Sequence, residues 1–186
     1  MKEFNGASLT NRRRMRFGFQ RARPVDGILY YPKLPPVETR SFTILIVEDD
    51  PNDVMLMRRA IQKAEVTHPI QFVPDGVQAI LYLRGAEKYG DRGAYPFPHF
   101  VITDLKMPLA GGFEILEWLR DHQDCSVIPV VVFSSSKQDS DIKRAYGLGA
   151  NAYLVKPPNP QDMTAVMRKL FDFWSLCEKP TLEKDC

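Results

Sequence analysis

A chain of 186 residues with ordinary apolar and charged fractions, 44% and 26%, has room for one folded domain and an appendage but not for two full domains. The net charge of +2 is unevenly spread, with nine basic and three acidic side chains in residues 1–40 against sixteen and twenty in the rest, so a basic arm precedes a mildly acidic domain. No apolar run approaches the roughly 20 residues that span a bilayer, the N-terminus lacks the apolar centre of a secretory signal, and Cys125, Cys177 and Cys186 have no metal-like spacing; the expectation is a cytoplasmic protein with three free thiols.

Residues 1–40 contain the run Arg12 to Arg23, in which arginines alternate with Met15, Phe17 and Phe19, and then Pro24, Pro32, Pro35 and Pro36. Neither a helical nor a strand period survives there. Such arms are commonly solvated extensions, and residues 1–40 are expected to be a disordered arm. The competing reading is a nucleic-acid contact, since arginine pairs phosphates and phenylalanine stacks on bases.

From Phe42 onward strands and helices alternate, which predicts a parallel sheet covered on both faces. The run Thr43 to Val47 is the first strand. Asp50 then caps a helix with Pro51 at its first position, Asp53 in its first turn, and Val54, Met57, Ile61 and Ala64 on one face. Ile70 to Val73 is a second strand, and Pro74-Asp75-Gly76 turns into a helix whose apolar face is expected to include Val77, Ile80 and Leu83. Residues 85–98, rich in glycine and proline, are expected to form an exposed loop.

Phe100 to Thr103 is a buried strand that ends on Asp104. Gly111-Gly112 opens a third helix carrying Ile115, Leu116 and Leu119. Val130 to Phe133 runs into Ser134, and a fourth helix with Ile142 and Ala145 stops near Gly147 and Gly149. Ala152 to Val155 runs into Lys156-Pro157, and Asn159-Pro160 starts a last helix with Met163, Val166, Met167, Leu170 and Trp174 in one stripe. The segment Gly147 to Ala152 formally matches a dinucleotide fingerprint but ends a helix and precedes a strand, the reverse of the required context.

Right-handed crossovers and the order 2-1-3-4-5 give a flavodoxin-like doubly wound α/β sheet of five strands and five helices. Glu48, Asp49, Asp104, Ser134 and Lys156 then all lie at its carboxyl edge, where open α/β sheets bind ligands. Three carboxylates so close repel one another unless a cation sits among them. Oxygen donors without histidine or cysteine suit Mg²⁺, which keeps several waters and accepts phosphate oxygens. A carboxylate can attack phosphorus, an ammonium can offset charge on the transferred oxygens, and a hydroxyl can donate to them. Asp104, Lys156 and Ser134 are the candidates for those three tasks.

The segments Ile44 to Asp50, Thr103 to Pro108, Pro129 to Ser134 and Gly149 to Pro157 resemble the receiver domain of bacterial two-component response regulators, over roughly residues 42–175. The resemblance implies a receiver over residues 41–177 with a short tail, 178–186. It implies that Asp104 accepts a phosphoryl group from a sensor histidine kinase, that Asp49 binds Mg²⁺ directly and Glu48 through water, and that the main-chain carbonyl of Lys106 completes the protein ligands. It further implies that Ser134 and Lys156 grip the phosphate, that Tyr153 and Ser134 form a switch, and that the Lys156–Pro157 bond is cis.

Tyr82-Leu83-Arg84, Ala145-Tyr146 and Phe173-Trp174 look like the small stand-alone receivers paired with bacterial phytochrome kinases, which tend to form homodimers. Such a protein signals by contact with a downstream protein. It is not a turnover enzyme, although it catalyses its own phosphorylation and slow dephosphorylation. The sequence departs from the family's commoner pattern at Gly111, where aspartate is frequent, at Glu48, and at Ser134, where threonine is usual. Lys106 and Ser136 stand where the family varies and sets phosphate lifetime.

The same residues bear on other readings. A DNA-binding regulator using the arginine-rich arm would need a recognition element that the domain does not offer. A phosphorelay intermediate would use the same acceptor. A phosphatase would want a second acid where Lys106 stands, and a flavin carrier would place its phosphate loop at Glu48-Asp49-Asp50, whose charges repel it.

Overall fold

The computed structural model describes residues 42–178, so the basic arm, and with it the competing reading of a nucleic-acid contact, lies outside the described residues. Five strands, β1 (Ile44–Val47), β2 (Ile70–Val73), β3 (Phe100–Thr103), β4 (Val130–Ser134) and β5 (Ala152–Val155), pair in parallel in the order β2-β1-β3-β4-β5. Five helices alternate with them: α1 (Pro51–Lys63), α2 (Gly76–Leu83), α3 (Gly112–Asp121), α4 (Asp139–Gly147) and α5 (Pro160–Leu176). The expected strand order and element count are those observed.

The central strands are buried on both faces because their side chains alternate between two cores. Ile44, Ile46, Phe100, Ile102, Val131 and Phe133 face the core built with α1 and α5, where Met57, Met167 and Trp174 pack. Leu45, Val47, Val101, Val130 and Val132 face the core built with α2 and α3, where Tyr82, Leu83, Ile115 and Leu116 pack. Trp174 lies within the first of these cores, stacked on Phe100 with ring centroids 5.1 Å apart.

The helix starts follow their caps. Asp50 accepts from the Asn52 N–H at 2.8 Å with Pro51 next to it, Asp75 accepts from Gln78 N–H at 2.8 Å, and Asn159 accepts from Asp162 N–H at 2.7 Å. Each side chain satisfies a backbone donor that has no partner inside its helix.

Four expectations are corrected. The buried face of α2 is Gly76, Ala79, Tyr82 and Leu83, while Val77 is exposed. Small residues win there because α2 sits so close to the loop before α3 that a Cβ on Gly76 would meet the Ala110 carbonyl oxygen at 2.8 Å. Residues 85–98 are not simply an exposed loop: a 3-10 turn (Glu87–Gly90) buries Tyr89 against Tyr82 and Tyr95. Arg92 holds the segment down by donating to the carbonyls of Tyr82 and Leu83 at 2.8 and 3.0 Å, at the end of α2 where a cation is favoured.

The Lys156–Pro157 bond is trans, the isomer that X–Pro bonds favour by about 0.5–1 kcal/mol, and the lysine still reaches the carboxyl edge. Cys125 is buried and disulfide-bonded, so the expectation of three free thiols fails there. Spacing along a chain does not say which thiols meet in space. The support that three free thiols lent to a cytoplasmic setting falls away with it. Among the described residues no helix is long and apolar enough to cross a membrane.

Candidate functional site

The register of the sheet brings four strand ends together. The Asp104 N–H donates to the Val47 carbonyl at 3.1 Å, and the Lys156 N–H donates to the Ser134 carbonyl at 2.9 Å, so β1 with β3, and β4 with β5, stay in register to their last residues. Glu48, Asp104 and Ser134 are buried there, each immediately at the carboxyl end of its strand.

Lys156 is the centre of the arrangement. Its Nζ lies 2.7 Å from Glu48 Oε2, 2.7 Å from Asp53 Oδ2 and 2.9 Å from Asp104 Oδ2. An ammonium has three N–H donors, and each is engaged by a carboxylate. The protein's own ammonium thus offsets part of the charge of these acids. Burial works to lower the pKa of the Lys156 amine, but the hydrogen bonds to Asp53, Glu48 and Asp104 outweigh it and hold the amine above its ordinary range.

Glu48 shows the opposite balance. Burial pushes its carboxyl up, Lys156 pulls it partly back, and the charges of Asp104 and Asp53 add to the rise, which leaves it at about 7. Three carboxylates share one ammonium, so the cluster is short of positive charge.

Asp104 is fixed by its backbone surroundings. Its Oδ1 accepts from the Leu105 N–H at 2.5 Å, and its carbonyl accepts from Thr103 Oγ1 at 2.8 Å. The chain then turns, with Leu109 in the left-handed region, and α3 comes back against it. A Cβ on Gly111 would lie 2.1 Å from the Leu105 carbonyl oxygen, and one on Gly112 2.4 Å from that of Asp104, so this approach requires two glycines. The missing side-chain cap at Gly111 is replaced by Glu114, which accepts from the Gly111 N–H at 2.8 Å.

The remaining predicted residues are spread more widely. Asp49 is exposed beside Glu48. The Lys106 side chain pairs with Asp141, at 3.5 Å. Asp141 in turn accepts from Ser136 Oγ at 2.6 Å, which together with Lys106 holds its carboxyl below the ordinary range. Tyr153 is half-buried and donates from its hydroxyl to the Ser136 carbonyl at 3.0 Å, while Ser134 Oγ accepts from the Ser136 N–H at 3.4 Å. Ser134 and Tyr153 therefore meet through Ser136, a link the sequence did not reveal. Asp53 was read only as an acid in the first turn of a helix, and its reach to Lys156 was missed.

Oxygen donors from Glu48, Asp49, Asp104 and the Lys106 carbonyl are those a hard divalent cation takes. Among the described residues no group of three or more acids, histidines or cysteines stands ready to hold a metal ion by itself. Carboxylates left short of positive charge and an exposed Asp49 fit a cation that retains much of its water, as Mg²⁺ does.

Comparison with known proteins agrees with this fold. FilR2, a probable methanogenesis regulatory protein of Methanothrix harundinacea, is 35% identical over 133 residues, 72% of this chain and 83% of its own. The solved structure of response regulator RPA3017 in red light signalling of R. palustris superposes with a TM-score of 0.71 at 34% identity, covering 75% of this chain and 98% of that one. The phosphorylated cyanobacterial phytochrome response regulator RcpA gives 0.70 at 30% identity, with 76% and 100% covered. The Mn²⁺-bound form of response regulator Rcp1 gives 0.67 at 28% identity, with 75% and 99% covered. Residues 44–168, which carry all five strands and reach into α5, match the response regulator receiver domain, and the chain belongs to that family of two-component signalling proteins.

Proposed function

We propose that this receiver accepts a phosphoryl group on Asp104 from a sensor histidine kinase, with Mg²⁺, and signals by contact with another protein. The observation that carries the reading is the position of the Asp104 carboxylate, buried at the end of β3 with its two oxygens held by the Leu105 N–H and by Lys156. A carboxylate oxygen of Asp104 attacks phosphorus, the bond from phosphorus to the kinase's histidine nitrogen breaks, and that nitrogen keeps the electron pair.

Lys156 exchanges a carboxylate partner for a phosphoryl oxygen, and Ser134 donates its hydroxyl proton to another. Asp49, Glu48, Asp104 and the Lys106 carbonyl would hold Mg²⁺, which offsets charge on the transferred oxygens. Release to water restores Asp104, so the protein catalyses its own phosphorylation and dephosphorylation without serving as a turnover enzyme. A Ser134 that turns toward phosphate changes the neighbourhood of Ser136, and with it the hydrogen bond that Tyr153 makes on the surface of β5.

Likeness to RPA3017 and RcpA supports a phytochrome-type kinase as partner, and the place of action is then the cytoplasm. A homodimer through the end of α5 is part of the same reading, carried by the exposed Phe173 and Leu176 rather than by Trp174, which is core. Light scattering with and without phosphate tests it, and a monomer in both removes it. The central test is incubation with acetyl phosphate and Mg²⁺ beside Asp104→Asn. One added phosphoryl group on the native chain alone is expected; a gain in both proteins, or in neither, overturns the assignment.

A further inference from the structure

We propose that Asp53 is a positioning residue that parks Lys156 in the unphosphorylated site and competes with the incoming phosphoryl group for its ammonium. The inference rests on Asp104 being the phosphoacceptor. All three N–H donors of Lys156 are already used, by Glu48, Asp53 and Asp104 at 2.7, 2.7 and 2.9 Å. A phosphoryl oxygen can therefore be gripped only after one carboxylate lets go.

The three differ in what release costs. The Glu48 and Asp104 side chains are 2% and 10% exposed, so releasing either leaves a carboxylate unpaired in a nearly dry site. The Asp53 side chain is 29% exposed and stands in the first turn of α1, where water and the helix N-terminus can take over its charge. Asp53 is thus the partner that yields.

Its charge acts in two ways. In the resting state it draws Lys156 toward α1 through the contact of 2.7 Å. When phosphate arrives, the same charge both repels the phosphate and bids for the ammonium. Neutralising it at constant shape weakens the competitor, because a hydrogen bond from an ammonium to a neutral amide is weaker than one to a carboxylate.

The test is titration of the full chain with beryllium trifluoride, a mimic of the phosphoryl group, at saturating Mg²⁺, comparing native protein with Asp53→Asn and Asp53→Glu. Asp53→Asn is expected to bind about three- to tenfold more tightly, and Asp53→Glu to return affinity to within about twofold of native. A residue that merely supported the fold would weaken binding or leave it alone, so equal or weaker binding by Asp53→Asn overturns the proposal. If that variant does not fold, Asp53→Ser, which keeps a side chain suited to the start of a helix, carries the same expectation and the same overturning result. Failure of the native chain to bind the mimic removes the phosphoacceptor reading itself, whereas native binding with an unaltered Asp53→Asn removes only the role of Asp53.

Discussion

Lys156 Nζ lies 2.9 Å from Asp104 Oδ2, with both side chains about nine-tenths withdrawn from water. Two different strands deliver the pair, β3 and β5, which are separated in the sheet by β4. At this depth the attraction is strong, and so is the cost of leaving either charge alone. The relationship therefore links stability to the proposed chemistry, since the amine that would steady a phosphoryl group already neutralises part of the resting cluster.

Replacing the amine exposes that link. Lys156→Met leaves Glu48 and Asp104 buried without their cation, and the expected loss is about 3 kcal/mol at pH 8, the scale for breaking a buried pair from one side. Acidification lets the stranded carboxyls take up protons, so the deficit relative to the native chain should narrow between pH 8 and pH 5. Urea denaturation of both proteins without added metal measures it, and a deficit independent of pH would contradict the picture.

Glu48 predicts a pH dependence of its own. Burial raises its folded-state pKa to about 7, above the 4.5 of an unperturbed glutamate. The folded chain therefore holds this proton more tightly than the unfolded chain. The contribution is fully present below about pH 4.5 and is lost as pH rises through 7, on the order of 3 kcal/mol across the window. Glu48→Gln, neutral at every pH, should flatten that part of the profile. Stability curves for the two proteins from pH 5 to pH 8 in a chelator decide it, and parallel curves would reject the raised pKa.

How much of this was legible in the sequence depended on the kind of residue. Asp104, Glu48, Ser134 and Lys156 could be placed because an apolar run of strand length says where its last residue goes, and parallel strands bring those ends to one edge. Asp53 could not, because an acid in the first turn of a helix is common for electrostatic reasons unconnected with any site. Its signal was its position three residues after the Asp50 cap, on a helix that starts at the carboxyl edge.

Val77 was misplaced for a different reason. A helical stripe read by hydrophobicity passes over Gly76 and Ala79, whose value is that they are small, and Tyr82, whose hydroxyl donates to the Pro96 carbonyl at 2.7 Å. Close approach and satisfied polar tips are properties of the assembled layers, not of the stripe.

Ser136 joins α4 to the residues beside the site, and its hydroxyl has a measurable signature. It is the first cause of the lowered Asp141 carboxyl, ahead of Lys106 and Arg144. Ser136→Ala should move the Asp141 pKa up toward the ordinary range and leave the Tyr153 hydrogen bond, which goes to the Ser136 backbone carbonyl, in place. Carboxyl-carbon NMR titration of Asp141 reads the first effect, and an unmoved pKa would show that Lys106 and Arg144 suffice.

The glycines behind Asp104 give the sharpest steric prediction. A methyl group at Gly111 or Gly112 would stand 2.1 or 2.4 Å from a backbone carbonyl oxygen, that of Leu105 or of Asp104 itself. Backbone held by a buried strand on one side and a helix on the other gives way poorly, so Gly111→Ala and Gly112→Ala should each cost about 2–3 kcal/mol. Gly112→Ala should also slow phosphorylation by acetyl phosphate, because the atom it displaces belongs to the acceptor. Gly147→Ala is the control: a Cβ there meets nothing within 4 Å, and the substitution at the last residue of α4 should be neutral or stabilising by a few tenths of a kcal/mol. Equal stability losses at all three glycines would mean that α3 is not seated against the Asp104 backbone.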